Sequence, residues 1–315
     1  MRSLDLQGPP PAGPVARLGR YFRSLVTLFW RCGVKSVLSG AKTRARRVLG
    51  IEQLEARVLA LSQQTSPATS TWAVMSWIEH AEVHETTLVS IVVPTHNRSA
   101  LLTRAVEAIR AQAYRNWELV VVDDGSTDET PELLERLRHE LGDGRLQTIR
   151  IARSGVCAAR NRGLAGARGS LIAYADDDNL MHPLWLKAVV WAFSQRPDVD
   201  VVYGGFIVDD VLRVNPDGAG ALPSYHLYPF SRENLSRHNL CDIGAIAHRS
   251  GLPEAYFDVA LREMGDWDLL VRLTRDKAPL VVPVVACLYS TSAPDRLSGG
   301  PTYEADKARV QAKAH

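Results

Sequence analysis

A short apolar run, a polar stop and a helical stripe recur along the middle of the chain, and this repetition restricts the available folds more than any other feature. Leu88 to Val93 is continuous and β-branched, so it reads as a strand buried on both faces, and Pro94-Thr95-His96-Asn97 stops it. Asn97 is expected to cap the helix carried by Leu101, Leu102, Ala105, Val106 and Ile109. Glu118 to Val122 repeats the strand and Asp123-Asp124-Gly125-Ser126-Thr127-Asp128 repeats the stop. Thr130 is then expected to cap a second helix with Pro131 in its first turn. A third strand spans Leu146 to Ile151, a helix containing Arg160-Asn161 spans Gly155 to Ala167, and a fourth strand follows Gly169. Strand and helix alternating at this spacing imply an α/β fold, a mostly parallel twisted sheet flanked by helices.

The fourth strand, Leu171-Ile172-Ala173-Tyr174-Ala175, runs into Asp176-Asp177-Asp178-Asn179. If the strand continues through the triplet, Asp176 and Asp178 leave the same face and their charges converge, which calls for a divalent cation between them. A solvated acidic turn is the competing reading, and the triplet alone leaves both open. The polar clusters do share one location, the carboxyl ends of the strands, where open α/β sheets bind ligands.

The 315 residues are 46% hydrophobic, ample for a packed core. The net charge of +2 hides an asymmetry, because residues 1 to 50 carry ten Lys and Arg against the single acid Asp5 and the remainder is net negative. No nucleic-acid partner is expected. Cys32, Cys157, Cys241 and Cys287 are far apart, which argues against a zinc knuckle and a disulfide framework and fits reduced thiols in a cytoplasmic setting. No stretch is apolar for the eighteen or so residues of a spanning helix, and Pro9, Pro10, Pro11 and Pro14 do not suit a secretory signal.

Three regions are expected. Residues 1–87 form an extension with a disordered start, a linker reaching Thr87 and, from Arg20 to Gly50, a basic amphipathic helix. In that helix Tyr21, Leu25, Leu28, Phe29, Val34, Val37 and Leu38 alternate with basic residues. It suits either peripheral contact with an anionic membrane or packing on the main domain. The domain proper spans 88–300, and 301–315 is a tail.

Four motifs in series carry a resemblance. Val89 to Arg98, Val120 to Asp128, Ala159-Arg160-Asn161, and Tyr174 to Asn179 with His182-Pro183 beyond resemble the family 2 glycosyltransferases over about residues 88 to 290. The resemblance implies a GT-A fold and a nucleotide-sugar donor, a UDP-sugar before others. It places Pro94, Thr95, Asn97, Asp123, Asp124, Arg160, Asp176 and Asp177 around that donor, and Mn²⁺ or Mg²⁺ on Asp178 and Asp176. The segment Met264-Gly265-Asp266-Trp267-Asp268-Leu269-Leu270-Val271-Arg272-Leu273 matches the family's acceptor-side helix, with Asp266 as general base of an inverting transfer. Helix initiation is the alternative role for Asp266. The implied acceptor is a hydroxyl of a glycan, lipid-linked saccharide or glycoconjugate of the cell envelope, reached at the inner face of the membrane. Gly265 stands where the family often has Glu, and it motivates a second reading: an inactive homologue that binds nucleotide or glycan as an assembly partner.

Beyond the motifs, Pro183 to Phe193 reads as a helix with Trp185 and Trp191 buried rather than stacked on sugar. Val201 to Val211 reads as a strand whose Gly204-Gly205 marks a bulge or leaves room for substrate. Asn215 to Asn239 is expected as a loop over the acceptor cleft, followed by a short strand near Ile243 to Ala247.

Overall fold

The computed structural model describes residues 67–142, 144–208, 224–291 and 300–314. The basic segment Arg20 to Gly50, the first part of the expected acceptor loop and Cys32 lie outside the described residues.

Strand β1 (Val89–Thr95) buries all seven residues and β2 (Trp117–Asp124) all eight. Continuous apolar strands do this when helices cover both sheet faces. Between them, α2 (Ser99–Arg110) turns Leu102, Ala105, Val106 and Ile109 inward, and burial of each of the Leu, Val and Ile side chains contributes about 1.5–3 kcal/mol. Helix α3 (Thr130–Leu141) leads to β3 (Leu146–Ile151), and α4 (Val156–Gly166) leads to β4 (Leu171–Tyr174). These strands pair in parallel in the order β3-β2-β1-β4, which sets Thr95 opposite Asp123 and Val92 opposite Tyr174.

The second half comprises β5 (Leu180–Met181), α5 (Trp185–Gln195), β6 (Val201–Val208), β7 (Ser224–His226), α6 (Arg232–Arg237), β8 (Ile246–Arg249), α7 (Gly265–Leu273) and β9 (Leu280–Tyr289). Strand β8 is antiparallel to both β4 and β6, and β9 is parallel to β6. Two reversals restore direction, so β6 and β9 end on the same edge of the sheet as β1, β2 and β4. All the loops that matter below open from that edge.

Several local expectations are corrected. The presumed linker contains α1 (Pro67–His80), which packs on β9 and buries Val74 and Ile78. The presumed tail is α8 (Tyr303–Lys313), and its buried Asp306 accepts the N–H groups of Arg262 and Glu263. The N-cap of α2 is Arg98 rather than Asn97, and Thr130 is the first helical residue of α3 rather than its cap. At Gly204 and Gly205 the β6–β9 register shifts, and added Cβ atoms would lie 2.9 Å from Trp185 and 2.6 Å from Tyr225. The pair is a bulge filled by aromatic rings. Trp185 and Trp191 are core residues.

Candidate active site

The loops after β1 and β2 are sewn to each other. Asn97 adopts φ 54°, a left-handed conformation that asparagine tolerates. Its Oδ1 accepts the N–H groups of Thr127 (2.7 Å) and Asp128 (3.3 Å), and its own N–H donates to Ser126 Oγ at 2.9 Å. Asp128 reciprocates, taking the N–H of Ser99 (3.1 Å) on one oxygen and that of Thr130 (3.0 Å) on the other. One carboxylate therefore caps two helices, which displaced Asn97 from the cap the sequence assigned to it. Asp123 accepts from Ser126 N–H at 2.8 Å and pairs with Arg150 at 3.2 Å. Asp124 takes Ser154 N–H at 2.6 Å, Gly155 N–H at 2.8 Å and Arg153 at 2.5 Å. Both are 1–2% exposed, so these carboxylates brace the loop whose shape they define. Pro94 lies at the end of β1 beside Val122, next to Thr95.

The acidic triplet does not continue the strand. β4 ends at Tyr174, the two-residue alternation stops there, and Asp176 and Asp178 go to different arginines. Asp176 pairs with Arg160 at 2.5 Å. Asp177 turns inward, accepting Thr95 Oγ1–H at 2.8 Å and Arg98 at 3.0 Å, so its carboxylate is engaged by the protein rather than presented to a donor. Asp178 also meets Arg98, at 3.2 Å. Burial, reinforced by the charges of Asp176 and Asp177 and only partly offset by Arg98, pushes the Asp178 carboxyl up to about 7.

Arg98 was not singled out in the sequence, although its place directly after the first polar stop was a signal. Arg160 is buried beneath the same edge, with its guanidinium 5.3 Å from the Phe257 ring. Burial opposes its charge, but Asp176, Cys157 and Asp266 together outweigh burial and raise its pKa.

Asp266 stands in the first turn of α7, after an N-cap at Met264 with φ 59°. Its Oδ1 accepts Trp267 N–H and its Oδ2 accepts Asn239 Nδ2–H, both at 2.8 Å. Burial raises its pKa and Asp176 adds to the rise; Trp267 N–H, Arg160 and Asn239 act against it. A third acid, Asp242, was missed by sequence reading, although a lone acid in Leu240-Cys241-Asp242-Ile243 was visible. Asp242 caps the single 3₁₀ turn Ile243–Ala245 by accepting Gly244 N–H at 2.8 Å, and the Cys287 thiol lies 3.6 Å away. Burial, then the charges of Asp176 and Asp266, push its carboxyl up to about 8. Asp176, Asp242 and Asp266 thus share one electrostatic neighbourhood around Arg160. At Gly265 a Cβ would sit 3.0 Å from Cys157 Sγ, so the space beside the helix start is occupied by the thiol.

Among the described residues no three His, Cys, Asp or Glu side chains converge as a metal site. Asp176 and Asp178 fit a hard divalent cation in kind, as carboxylate donors crowded enough to repel each other. In number they suit a cation that takes its other ligands from water and phosphate.

The model of the family described as glycosyl transferase family 2 matches residues 90–254, more than half of the chain. The chain belongs to glycosyl transferase family 2. This family 2 chain is 30% identical over 188 residues to the putative colanic acid biosynthesis glycosyl transferase WcaA of Escherichia coli, a match covering 59% of the chain and 66% of that protein. It is 33% identical over 186 residues to the PGL/p-HBAD biosynthesis glycosyltransferase of Mycobacterium bovis, covering 58% and 68%. The match therefore spans just under two thirds of the Escherichia coli protein's length. Among solved structures, TarS of S. aureus in complex with UDP-GlcNAc superposes with TM-score 0.58 at 17% identity, covering 71% of this chain and 66% of that one. The mannosyltransferase PcManGT of Pyrobaculum calidifontis, in complex with GDP-Man and Mn²⁺, does so with TM-score 0.52 at 21% identity, covering 84% and 74%. These likenesses establish the GT-A fold expected from the sequence. No described helix is long and apolar enough to cross a membrane.

Proposed function

We propose that this family 2 chain is an inverting glycosyltransferase in which Asp266 is the general base. An acceptor hydroxyl attacks the anomeric carbon of an α-linked nucleotide sugar, its proton passes to Asp266, the bond to the nucleoside diphosphate breaks, and a β-linkage forms. The observation that carries this reading is the environment of Asp266. Burial raises its proton affinity, while Asn239 and the Trp267 N–H fix both oxygens. Each carboxylate oxygen has two lone pairs, so a hydroxyl proton can still be received. A positioned carboxylate of this kind typically accelerates such a step by about 10²- to 10⁴-fold.

The donor loops are those after β1 and β2, with Pro94, Thr95, Asn97, Asp123 and Asp124 shaping the nucleotide pocket. A divalent cation, Mn²⁺ or Mg²⁺, on Asp178 and Asp176 would neutralise charge growing on the departing diphosphate. Arg160 fixes Asp176 in place through their ion pair, and Arg98 does the same between Asp177 and Asp178. A UDP-sugar is the first donor to test, since TarS was solved with UDP-GlcNAc; GDP-Man in PcManGT keeps GDP-sugars in the comparison. Relatives named for colanic acid and PGL/p-HBAD biosynthesis support a glycan or glycoconjugate acceptor, in our reading one of the cell envelope. The amino-terminal basic segment would hold the enzyme at the inner membrane face.

Calorimetric titration with UDP, GDP and dTDP, with and without Mn²⁺, tests the reading. One nucleotide is expected to bind only with metal and to lose binding in Asp178→Ala. Asp266→Asn is expected to retain that binding and to lose about 10²- to 10⁴-fold in transfer rate. Failure of every nucleotide to bind in a metal-dependent way overturns the proposal. Nucleotide binding with no transfer by the wild type favours the non-catalytic partner that Gly265 first suggested.

A further inference from the structure

The carboxyl ends of β6 and β9 carry a group of aromatic side chains that the transfer chemistry does not use. Phe206 pairs in register with His226 of β7 and with Cys287 of β9, so all three face one side of the sheet. On that side Cys287 reaches Asp242, which places the aromatic face next to the carboxylates around Arg160. The His226 ring stacks on Phe206 with centroids 5.2 Å apart and planes 16° off parallel, and Tyr289 meets Phe206 edge-on at 6.1 Å.

The outermost ring is Tyr228, 42% exposed, and an exposed aromatic side chain is ordinarily free to turn. Here it is fixed at both ends. Its hydroxyl lies 2.9 Å from His226 Nδ1, the other imidazole nitrogen lies 2.8 Å from Ser224 Oγ, and its carbonyl accepts the Tyr203 hydroxyl at 2.7 Å. The segment that follows leads straight to the base, because Leu235 O accepts the Trp267 indole N–H and Asn239 holds Asp266. A pre-organised, exposed ring with polar edges is thus joined to Asp266 through a single stretch of chain.

A pyranose ring has one face of C–H groups and a rim of hydroxyls, and it is the complement of such a surface. Its C–H face packs on an aromatic plane while the rim finds donors and acceptors at the ring's edge. Fixing the ring beforehand removes part of the entropy lost on binding. We propose that Tyr228, backed by His226, Phe206 and Tyr289, is a stacking platform for a sugar ring of the acceptor. The platform lies on the far side of β4 from the donor loops, as in-line attack on a donor held at those loops requires. This inference rests on the reading of the chain as a transferase acting on a saccharide.

The test is saturation-transfer NMR on the full chain with methyl β-glucopyranoside, cellobiose and lactose, with nucleotide binding followed by calorimetry on the same samples. The wild type is expected to transfer saturation to the C–H protons of one sugar face. Tyr228→Ala should weaken saccharide binding roughly three- to tenfold, as loss of one aromatic contact does. Tyr228→Trp, which keeps a ring, should retain binding, and this separates loss of the platform from loss of the fold. Saccharide signals that are absent throughout, or equal in wild type and Tyr228→Ala, overturn the platform even where a nucleotide binds. Absent nucleotide binding overturns the transferase reading instead.

Discussion

A carboxyl buried beside two other carboxylates holds its proton more tightly in the folded chain than in the unfolded one, and Asp242 is such a group. Its folded value of about 8 stands against roughly 3.9 for an unfolded Asp. Between those two values the folded state binds more protons than the unfolded state. Stability therefore falls as pH rises through that window, and the loss is complete above the folded value. Asp178, also pushed up, adds a slope of the same sign. In metal-free buffer the melting temperature of the wild type is expected to fall from pH 5 to pH 8.5. Asp242→Asn, which removes the larger contributor, should melt higher at pH 8.5 and show a flatter profile. Scanning calorimetry across that range decides it: an Asn variant with the wild-type slope would mean that Asp242 is ionised and relieved by contacts other than those seen here. Asp176 and Asp266 shape this behaviour by proximity, which no local sequence pattern around Asp242 records.

At the scale of elements, the joint between the loops after β1 and β2 depends on one side chain. Asp128 caps the starts of both α2 and α3, and Asn97 holds Asp128's own N–H. Asp128→Ala is expected to lower stability by about 1–2 kcal/mol, the upper range for loss of a helix cap. It should also weaken nucleotide binding, because Thr127 and Asn97 lose their fixed relation. Urea denaturation alongside nucleotide titration measures both, and an unchanged midpoint would show that water replaces the cap without loss.

The same joint marks where sequence reading stopped. Strands β1 to β4 and helices α2 to α4 were legible because their apolar periodicity is local and long enough to detect. The caps were misplaced because the acceptor for Ser99 N–H comes from a loop 29 residues away, and no local pattern records that. Strand β7 spans only Ser224–His226, too short to show a period, and the short strand expected near Ile243 to Ala247 is β8 at Ile246–Arg249, its first three positions taken by the 3₁₀ turn Ile243–Ala245. Helix α1 was masked by Pro67, which begins that helix rather than breaking it. Of the site, Asp176, Arg160 and Asp266 were legible as motif residues, and the structure brings them together. Arg98, Asp242 and Tyr228 acquire meaning only from neighbours distant in sequence.

Over the whole molecule, charge is segregated. Ten Lys and Arg against one acid in residues 1 to 50, beside a net negative remainder, make a chain whose ends respond oppositely to an anionic surface. Each basic residue near such a surface is worth on the order of 1 kcal/mol, while the negative remainder is repelled over the same range. The expected result is attachment through the amino-terminal segment. Attraction of this kind is screened within a Debye length of about 8 Å at physiological ionic strength. Binding should therefore be strong in dilute salt and weak near 0.5 M, an ionic strength at which roughly 4–5 Å of screening remains. Co-sedimentation with vesicles containing phosphatidylglycerol, compared with neutral vesicles, measures this, and deletion of residues 1–50 should abolish it. Undiminished binding by the deleted chain, or equal binding to neutral vesicles, would move the attachment to an apolar surface elsewhere in the molecule. The exposed Trp72, Tyr256 and Val259 are then the side chains to replace first.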